Sequence, residues 1–317
     1  MKAIGLNFAD VFSCLGLYSA TPRGSFIPGL EFAGVVEAVG SPGRATVTPS
    51  GGCRPGDHVV GLVRFGAYAS AVNVRTSDLR ALRPGWRFAE GAAYRVQALT
   101  AWYGLVRLAA VERGDIVLVQ SAAGGVGLNA LAILSALGAR PIAVVGAARK
   151  REWLAEHRGL AREQIVVRDR RTFSADLDCA LAAAGASGFD CVFDAVAGPY
   201  FTPAYDRLRP EGRMVIYGAA DYMPRGSRPD YLRLVPRYLF RPRVDPLAMI
   251  AQNRSVMGFN LIWLWDRSGD LASSCDALDA VIAAPPLVGR IFPFAEAPAA
   301  LRHLQGGTSI GKVVLEV

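Results

Sequence analysis

The stretch Ile116-Val-Leu-Val-Gln-Ser-Ala-Ala-Gly-Gly-Val-Gly127 constrains this chain more than any other. Its opening residues, Ile116–Val119, are apolar without interruption, which predicts a strand covered on both faces. A turn of small residues follows. Then Val126, Ala130, Ile133, Leu134 and Leu137 recur at helical spacing, and Gly138 stands where a helix would stop. Strand, glycine turn and helix in that order make Ala122-x-Gly124-x-x-Gly127 a dinucleotide-binding turn. Ala122 occupies the usual place of the first glycine. Gly124 allows close approach of a pyrophosphate, and Gly127 allows the helix to pack on its strand. The segment Ala123, Gly124, Gly125, Val126 and Gly127 opens the helix, where unsatisfied N–H groups and the positive end of the dipole favour an anion.

Either side of this stretch the rhythm differs. Before about residue 95, the short apolar runs Gly34–Val39, His58–Val63 and Ala69–Val74 alternate with turns such as Gly40-Ser-Pro-Gly43 and Arg54-Pro-Gly-Asp57, predicting a β-rich domain. From Thr100 onward, strands expected at Ile116–Gln120, Pro141–Val145, Ile165–Val167, Phe189–Asp194, Arg213–Tyr217 and Val256–Leu261 are separated by helical segments near 149–158, 175–184 and 199–208. Such alternation predicts a parallel sheet wound on both faces. A helix is expected over Leu271–Ala284, and the strand Lys312–Val317 would return to the β-rich part. The expected division is therefore a β-rich domain from 1–95 and 261–317 and a nucleotide-binding domain from 96–260.

The second expected strand indicates which nucleotide. A bare ribose 2′-OH calls for an acid roughly twenty residues beyond the glycines. Here the strand runs into Gly146-Ala-Ala-Arg149-Lys150 with no carboxylate. Helix starts disfavour cations, so Arg149 and Lys150 are read as partners of a 2′-phosphate, and the expected cofactor is NADPH.

Charge and cysteines exclude several alternatives. The net charge of +8 is carried by arginines spread along the chain, with only Lys2, Lys150 and Lys312 as lysines, and no nucleic-acid motif accompanies it. A nucleic-acid partner is not expected. One denser patch, Arg225, Arg228, Arg233, Arg237, Arg241 and Arg243, is interleaved with Tyr231, Tyr238 and Phe240. It reads as a partly exposed helix near a site, a subunit contact or a peripheral membrane contact. No apolar run approaches the length of about 18 residues needed to span a bilayer, and no secretory h-region opens the chain. The scattered Cys14, Cys53, Cys179, Cys191 and Cys275, without CxxC spacing, fit a reducing cytoplasm and no zinc cluster.

Together the motifs resemble the zinc-independent medium-chain dehydrogenase/reductases. The resemblance covers nearly the whole chain. It rests on Leu6-Asn-Phe-Ala-Asp10 with Gly16-Leu-Tyr18, Gln97–Tyr103, the Ala122–Gly127 turn, Phe193–Gly198, Leu208–Gly218 and Gly311–Leu315. Gln252–Leu261 is most similar to the branch holding quinone oxidoreductases and VAT-1-like proteins. The resemblance implies a GroES-like catalytic domain, a Rossmann domain, an active site between them, NADPH and commonly a homodimer. The implied reaction is hydride transfer to a quinone or an activated C=C bond. An enoyl-thioester reductase, or a membrane-associated NADPH-binding protein with little catalysis, are the alternatives.

Site residues follow from the same resemblance. The segment where zinc-dependent members carry Gly-His-Glu reads Gly29-Leu-Glu-Phe32, without a histidine, so no metal is expected. Tyr18 matches a tyrosine near the substrate of related enoyl reductases and is the candidate proton donor to an enolate. Asn7 would hold a substrate oxygen or the nicotinamide ribose, and Asp10 would orient its neighbours. In the competing reading Tyr18 merely lines the site, and Asn7 and Asp10 form a turn. Thr100, Phe259, Asn260 and Lys312 match residues beside the cofactor. Arg168-Asp169 replaces an Asp-Tyr pair of relatives; Arg168 would suit a phosphate and Asp169 would oppose it. Relatives also carry opening strands ahead of Leu6. Two explanations are open: a start codon assigned late, or an incomplete barrel with an exposed sheet edge.

Overall fold

The computed structural model describes residues 1–40, 52–264 and 268–317. The turn expected at Gly40–Gly43 lies outside the described residues. The chain forms two compact units, Met1–Gln97 with Ala284–Val317, and Ala98–Ala283.

In the first unit, β1 (Ala3–Gly5) leads into α1 (Phe8–Cys14), followed by β2 (Glu31–Val35), β3 (His58–Leu62), β4 (Leu79–Ala81) and α2 (Phe88–Gly91). The helix α3 (Arg95–Trp102) carries the chain across the division. In the second unit come β5 (Ile116–Gln120), α4 (Gly125–Leu137), β6 (Arg140–Val145), α5 (Ala148–Arg158), β7 (Ile165–Val167) and α6 (Phe173–Ala183). They are followed by β8 (Phe189–Asp194), α7 (Phe201–Tyr205), β9 (Leu208–Ile216), α8 (Tyr231–Leu239), α9 (Pro246–Gln252), β10 (Ser255–Gly258) and α10 (Ser268–Val281). The first unit resumes with β11 (Val288–Pro293), α11 (Ala297–Gln305) and β12 (Lys312–Glu316). Because α10 belongs to the second unit, the return to the first comes at residue 284 rather than 261.

The second unit's sheet runs β10-β9-β8-β5-β6-β7, with every pair parallel. Parallel strands are covered on both faces, which is why β5 is buried at every residue and reads as an unbroken apolar run. Chain order reverses between β5 and β8, so the crevice at the carboxyl ends of these strands is the topological switch point where α/β sheets bind ligands. This is the expected Rossmann sheet.

The first unit's sheet runs β11-β12-β1-β2-β3-β4. Its register matters for the site. Gly5 pairs with Glu31 on one side and Val314 on the other. Continuing antiparallel from Gly5–Val314 brings Asn7 level with Lys312. Gly5 itself is required, since a Cβ there would lie 1.9 Å from the Ala92 carbonyl.

Two sequence expectations fail here. Ala69–Val74 forms no strand; the strand that pairs with β3 is Leu79–Ala81. Alternation marks the run as half-buried, but the pairing partner is set by where the chain can turn, and Thr76–Asp78 makes that turn as a 3-10 helix. The run expected at Gly34–Val39 is paired earlier, at Glu31–Val35, because its register is fixed by β1 and β3.

Candidate functional site

The glycine turn sits at the switch point. Leaving β5, the chain takes a positive φ of 56° at Ser121. Ala122 therefore needs no glycine freedom, which accounts for the alanine at the motif's first position. Gly124 caps α4 in an extended conformation, and the first bond of the helix ladder is Leu128 N–H to Gly124 O at 2.8 Å. The N–H groups of Gly125, Val126 and Gly127 thus precede the ladder, at the positive end of a thirteen-residue helix. A Cβ on Gly127 would stand 2.5 Å from both Ser121 O and Ala122 Cα, so only glycine lets the helix reach the turn. The helix ends at Gly138, in the left-handed region at φ 72°.

At the neighbouring end of β6, cations converge. Arg149 and Lys150 lie in the first turn of α5, which has no acid. Burial, with the charges of Arg149 and Arg168 beside it, lowers Lys150 to about 8. Arg168 follows β7 and donates its main-chain N–H to Val145 O at 2.8 Å. Its guanidinium lies over the Tyr200 ring at 5.6 Å, while its buried Nη1 has no hydrogen-bond partner. Gly146 makes room, since a Cβ there would come within 3.2 Å of Arg168 Nη2. Asp169 accepts from Arg171 N–H at 2.8 Å, so its carboxylate is occupied in the local turn. Glycines beside a helix N-terminus and an unpartnered guanidinium nitrogen suit a dinucleotide carrying an extra phosphate.

The ends of β8, β9 and β10 add an aromatic wall. Phe193 stacks on Tyr217 at 4.1 Å, Tyr217 faces Phe259 at 6.4 Å, and Phe259 faces Tyr103 at 5.0 Å. Gly104, in a π-helical turn, lets Phe193 in; its Cβ would be 2.4 Å from that ring. Beneath the wall, buried Asp194 accepts from Val196 N–H at 2.7 Å and Ala197 N–H at 3.1 Å. These bonds hold the turn in which Ala197 takes a φ of 55°. Burial pushes the Asp194 carboxyl up, opposed by those N–H donors and by Arg168. Of the residues matched to the cofactor region, Phe259 and Asn260 follow β10, and Thr100 is buried in α3.

In the first unit the structure brings together Asn7, Asp10, Glu31 and Lys312. Lys312 and Glu31 are both 1% exposed and form an ion pair between Nζ and Oε1. Lys312 Nζ also donates to Asn7 Oδ1 at 2.8 Å, while Asn7 Nδ2 donates to Glu31 Oε1 at 3.0 Å and Gly5 O at 3.3 Å. Glu31 Oε2 accepts from Val96 N–H at 3.0 Å. Asn7 is also the N-cap of α1, and its N–H donates to Asp10 Oδ2 at 2.7 Å. Asp10 is fully buried; burial, opposed by the Asn7 N–H and the Lys312 charge, raises it to about 7. The Tyr68 hydroxyl donates to Asp10 Oδ2 at 3.4 Å. Burial and the Asp10 charge raise the Tyr68 phenol. Tyr18 is half-buried in the turn after α1, its carbonyl accepting from Thr21 N–H at 3.1 Å.

Sequence reasoning missed the partners in this network, Glu31 and Tyr68. A buried lysine must find a carboxylate, and that requirement on Lys312 was the available signal once the sheet register was known.

Comparisons with known proteins now bear on this geometry. A family model described as zinc-binding dehydrogenase matches residues 161–315. The zebrafish (Danio rerio) synaptic vesicle membrane protein VAT-1 homolog is 29% identical over 325 residues, covering 99% of this chain; the chain spans 63% of that protein's length. The quinone oxidoreductase from Thermus thermophilus, whose structures include an NADPH complex, is 31% identical with a TM-score of 0.77. That match covers 100% of this chain and 89% of the other. The chain belongs to the medium-chain dehydrogenase/reductase superfamily, in its quinone oxidoreductase and VAT-1-like branch. The CurK enoyl reductase structure is also similar, at 26% identity and a TM-score of 0.79, covering 99% of this chain and 89% of that one. Membership makes this an oxidoreductase-type chain with a nicotinamide-cofactor fold.

The family description names zinc, and the residues here do not fit it. Among the described residues no three His, Cys, Asp or Glu side chains group as metal ligands. Glu31, in the segment that corresponds to Gly-His-Glu, is bound to the ammonium of Lys312. That carboxylate already has a cation as its partner.

Proposed function

We propose that the protein is an NADPH-dependent, zinc-independent reductase acting on a quinone or the activated C=C bond of an enone. The observation that carries the reading is the convergence of Arg149, Lys150 and Arg168 beside the glycine turn, with no acid at the end of β6. The like charges of Arg149 and Arg168 beside partly buried Lys150 raise the cost of its charged form. An arriving phosphate removes that cost and gains charge-assisted hydrogen bonds. The second unit, on this reading, is the NADPH-binding domain and the first the catalytic domain. Gly124–Gly127 would receive the pyrophosphate, the Tyr103–Phe259 wall would flank the nicotinamide, and Thr100 and Asn260 would orient it.

The bound dinucleotide supplies a hydride. This chain's residues then have to handle the negative charge left on the acceptor oxygen. Tyr18 is the proposed donor for an enone, holding its phenolic proton for the enolate. A quinone needs less, because its reduced oxygens take protons from water. The Lys312–Glu31–Asn7 cluster positions Asn7 at the start of α1. Similarity to the CurK enoyl reductase supports an enoyl thioester as the second substrate class.

The test is NADPH and NADH oxidation against quinones, enones and crotonyl thioesters, for the parent and for Lys150→Glu. We expect a preference for NADPH that falls about tenfold or more in Lys150→Glu, matching loss of one charged hydrogen bond of roughly 1.5–3 kcal/mol. NADH turnover should hardly change. An unaltered preference would remove the phosphate assignment, and no turnover on the whole panel would remove the reductase reading.

A further inference from the structure

Tyr68 is built into the first unit more firmly than a loop aromatic needs to be. After β3 the chain is bonded to the residues ahead of β2. Val63 N–H donates to Leu30 O at 2.8 Å, Gly66 N–H to Ile27 O at 2.8 Å and Tyr68 N–H to Pro28 O at 2.9 Å. Gly29 lies within this stretch at a φ of 99°, the left-handed region that glycine tolerates. It also leaves its side-chain space to the tyrosine, because a Cβ there would lie 2.4 Å from Tyr68 Cδ1. The ring is thereby fixed with its hydroxyl on Asp10 Oδ2 at 3.4 Å.

Asp10 has more than the helix start requires. Capping α1 uses Oδ2, which accepts from Asn7 N–H at 2.7 Å, whereas Oδ1 is buried without a hydrogen-bond partner. An asparagine would supply the same cap with no charge to bury. Among the described residues, Tyr68 is the side chain hydrogen-bonded to this carboxyl. The groups facing Asp10 come from every neighbouring element. Lys312 on β12, the Asn7 N–H and the nearby Gly29 N–H favour the carboxylate, while Glu31 on β2 opposes it. Cys14, one turn along α1, is itself pushed up by burial and by Asp10. Burial outweighs the rest and leaves Asp10 at about 7, where a carboxyl both holds and releases a proton near neutrality. Asp10 is 0% exposed, but Tyr68 keeps part of its surface open. A proton leaving Asp10 therefore has the phenol as its outlet.

We propose that Asp10 and Tyr68 form a proton relay, in which the Asp10 carboxyl stores a proton and the Tyr68 hydroxyl passes it to the oxygen of the reduced quinone. The relay rests on the reductase reading and gives the water-derived proton a route. Hydride from NADPH brings its electron pair to the quinone and leaves an oxygen negatively charged. The Tyr68 O–H bond breaks as an O–H bond forms on that oxygen. The carboxyl O–H of Asp10 then breaks as the Tyr68 hydroxyl is restored, and the carboxylate takes one proton from water. Each turnover thus consumes one NADPH and one proton and releases NADP+ and the hydroquinone. Tyr18 stands past the C-terminal end of α1, whereas Asp10 lies in its first turn, so the two phenols are separate proton sources. Tyr18 remains the donor for an enolate.

The experiment is kcat/KM for 1,4-naphthoquinone with saturating NADPH, from about pH 5.5 to about 8.5, which reports ionisations of the enzyme before the quinone binds. Parent, Asp10→Asn and Tyr68→Phe are compared, each with an NADPH binding titration. The neutral carboxyl is the active form, so the parent should be level below about 7 and fall by about tenfold per pH unit above it. At pH 6, Asp10→Asn should be lower by about 100-fold or more, the usual contribution of a positioned acid, and should show no such fall. Tyr68→Phe keeps the ring against Gly29 and should lose the same fall together with at least about tenfold in rate. Both variants should bind NADPH like the parent, since the nucleotide turn is in the other unit. Parental rate and pH dependence in Tyr68→Phe would overturn the relay and leave the reductase reading standing. A rate that rises through about 7 would also overturn it, because the carboxylate would then be the active form. A parent that binds NADPH but reduces no quinone would remove the reading and the relay together.

Discussion

The two units handle charge in opposite ways. At the end of β6, three cations converge beside a helix N-terminus, with an unpartnered nitrogen on Arg168. In the first unit, Lys312 and Glu31 are buried and satisfy each other, with Asn7 between them. Unlike charges that close on one another stabilise a register. Like charges that gather at a crevice raise the cost of one another's charged forms, and on the proposed reading a phosphate relieves that cost. The same residue type is therefore paired inside the fold at Lys312 and, on the proposed reading, available to a phosphate at Lys150.

This contrast can be broken most severely at the ion pair. Glu31→Gln leaves a buried ammonium without its counter-charge and should cost about 3–5 kcal/mol in urea unfolding. Replacing both partners, as Glu31→Leu with Lys312→Met, should recover most of that loss, because a packed apolar pair avoids the desolvation cost. If the double variant were no better than the single one, the pair would not be the source of the cost.

Asp10 sharpens the comparison through pH. Its folded value, about 7, exceeds the unfolded value of about 3.9. Between these values the folded chain keeps a proton that the unfolded chain releases, so stability falls as pH rises from about 4 to about 7. Asp10→Asn should remove that fall, worth up to a few kcal/mol at about 1.4 kcal/mol per unit. Parallel unfolding-midpoint curves for parent and variant across this window would contradict the assignment.

Gly127→Ala is the next effect down. With Ser121 O and Ala122 Cα each 2.5 Å from the new Cβ, the helix must shift, at about 1–3 kcal/mol. Nucleotide affinity should fall with it in a binding titration. Smallest for stability is Lys150→Glu, expected within about 0.5 kcal/mol of the parent in the same unfolding assay. It should change nucleotide preference instead. A variant that changed affinity and stability together would mean that Lys150 is structural after all.

Much of the second unit could be read directly from the chain. The strands at Ile116–Gln120, Ile165–Val167 and Phe189–Asp194 coincide with the sequence expectation, as does the helix stop at Gly138. Buried parallel strands announce themselves as apolar runs, and α/β alternation is local. The first unit was less legible. Its sheet joins Ala3–Gly5 to Lys312–Glu316, and no local pattern encodes a pairing across that separation. The strand expected at Ala69–Val74 failed for the same reason, since alternation cannot name a partner.

The amino-acid sequence by itself determined the nucleotide turn, the cationic end of its second strand and the family, because each depends on residues adjacent in the chain. Only the tertiary structure decided that Lys312 closes on Glu31 and Asn7, that Arg168 joins Arg149 and Lys150, and that α8 turns Leu232 and Leu239 outward. Those outcomes depend on which surfaces are left uncovered once the sheets have formed. Burial and charge pairing are settled by the packed whole, not by any segment of it.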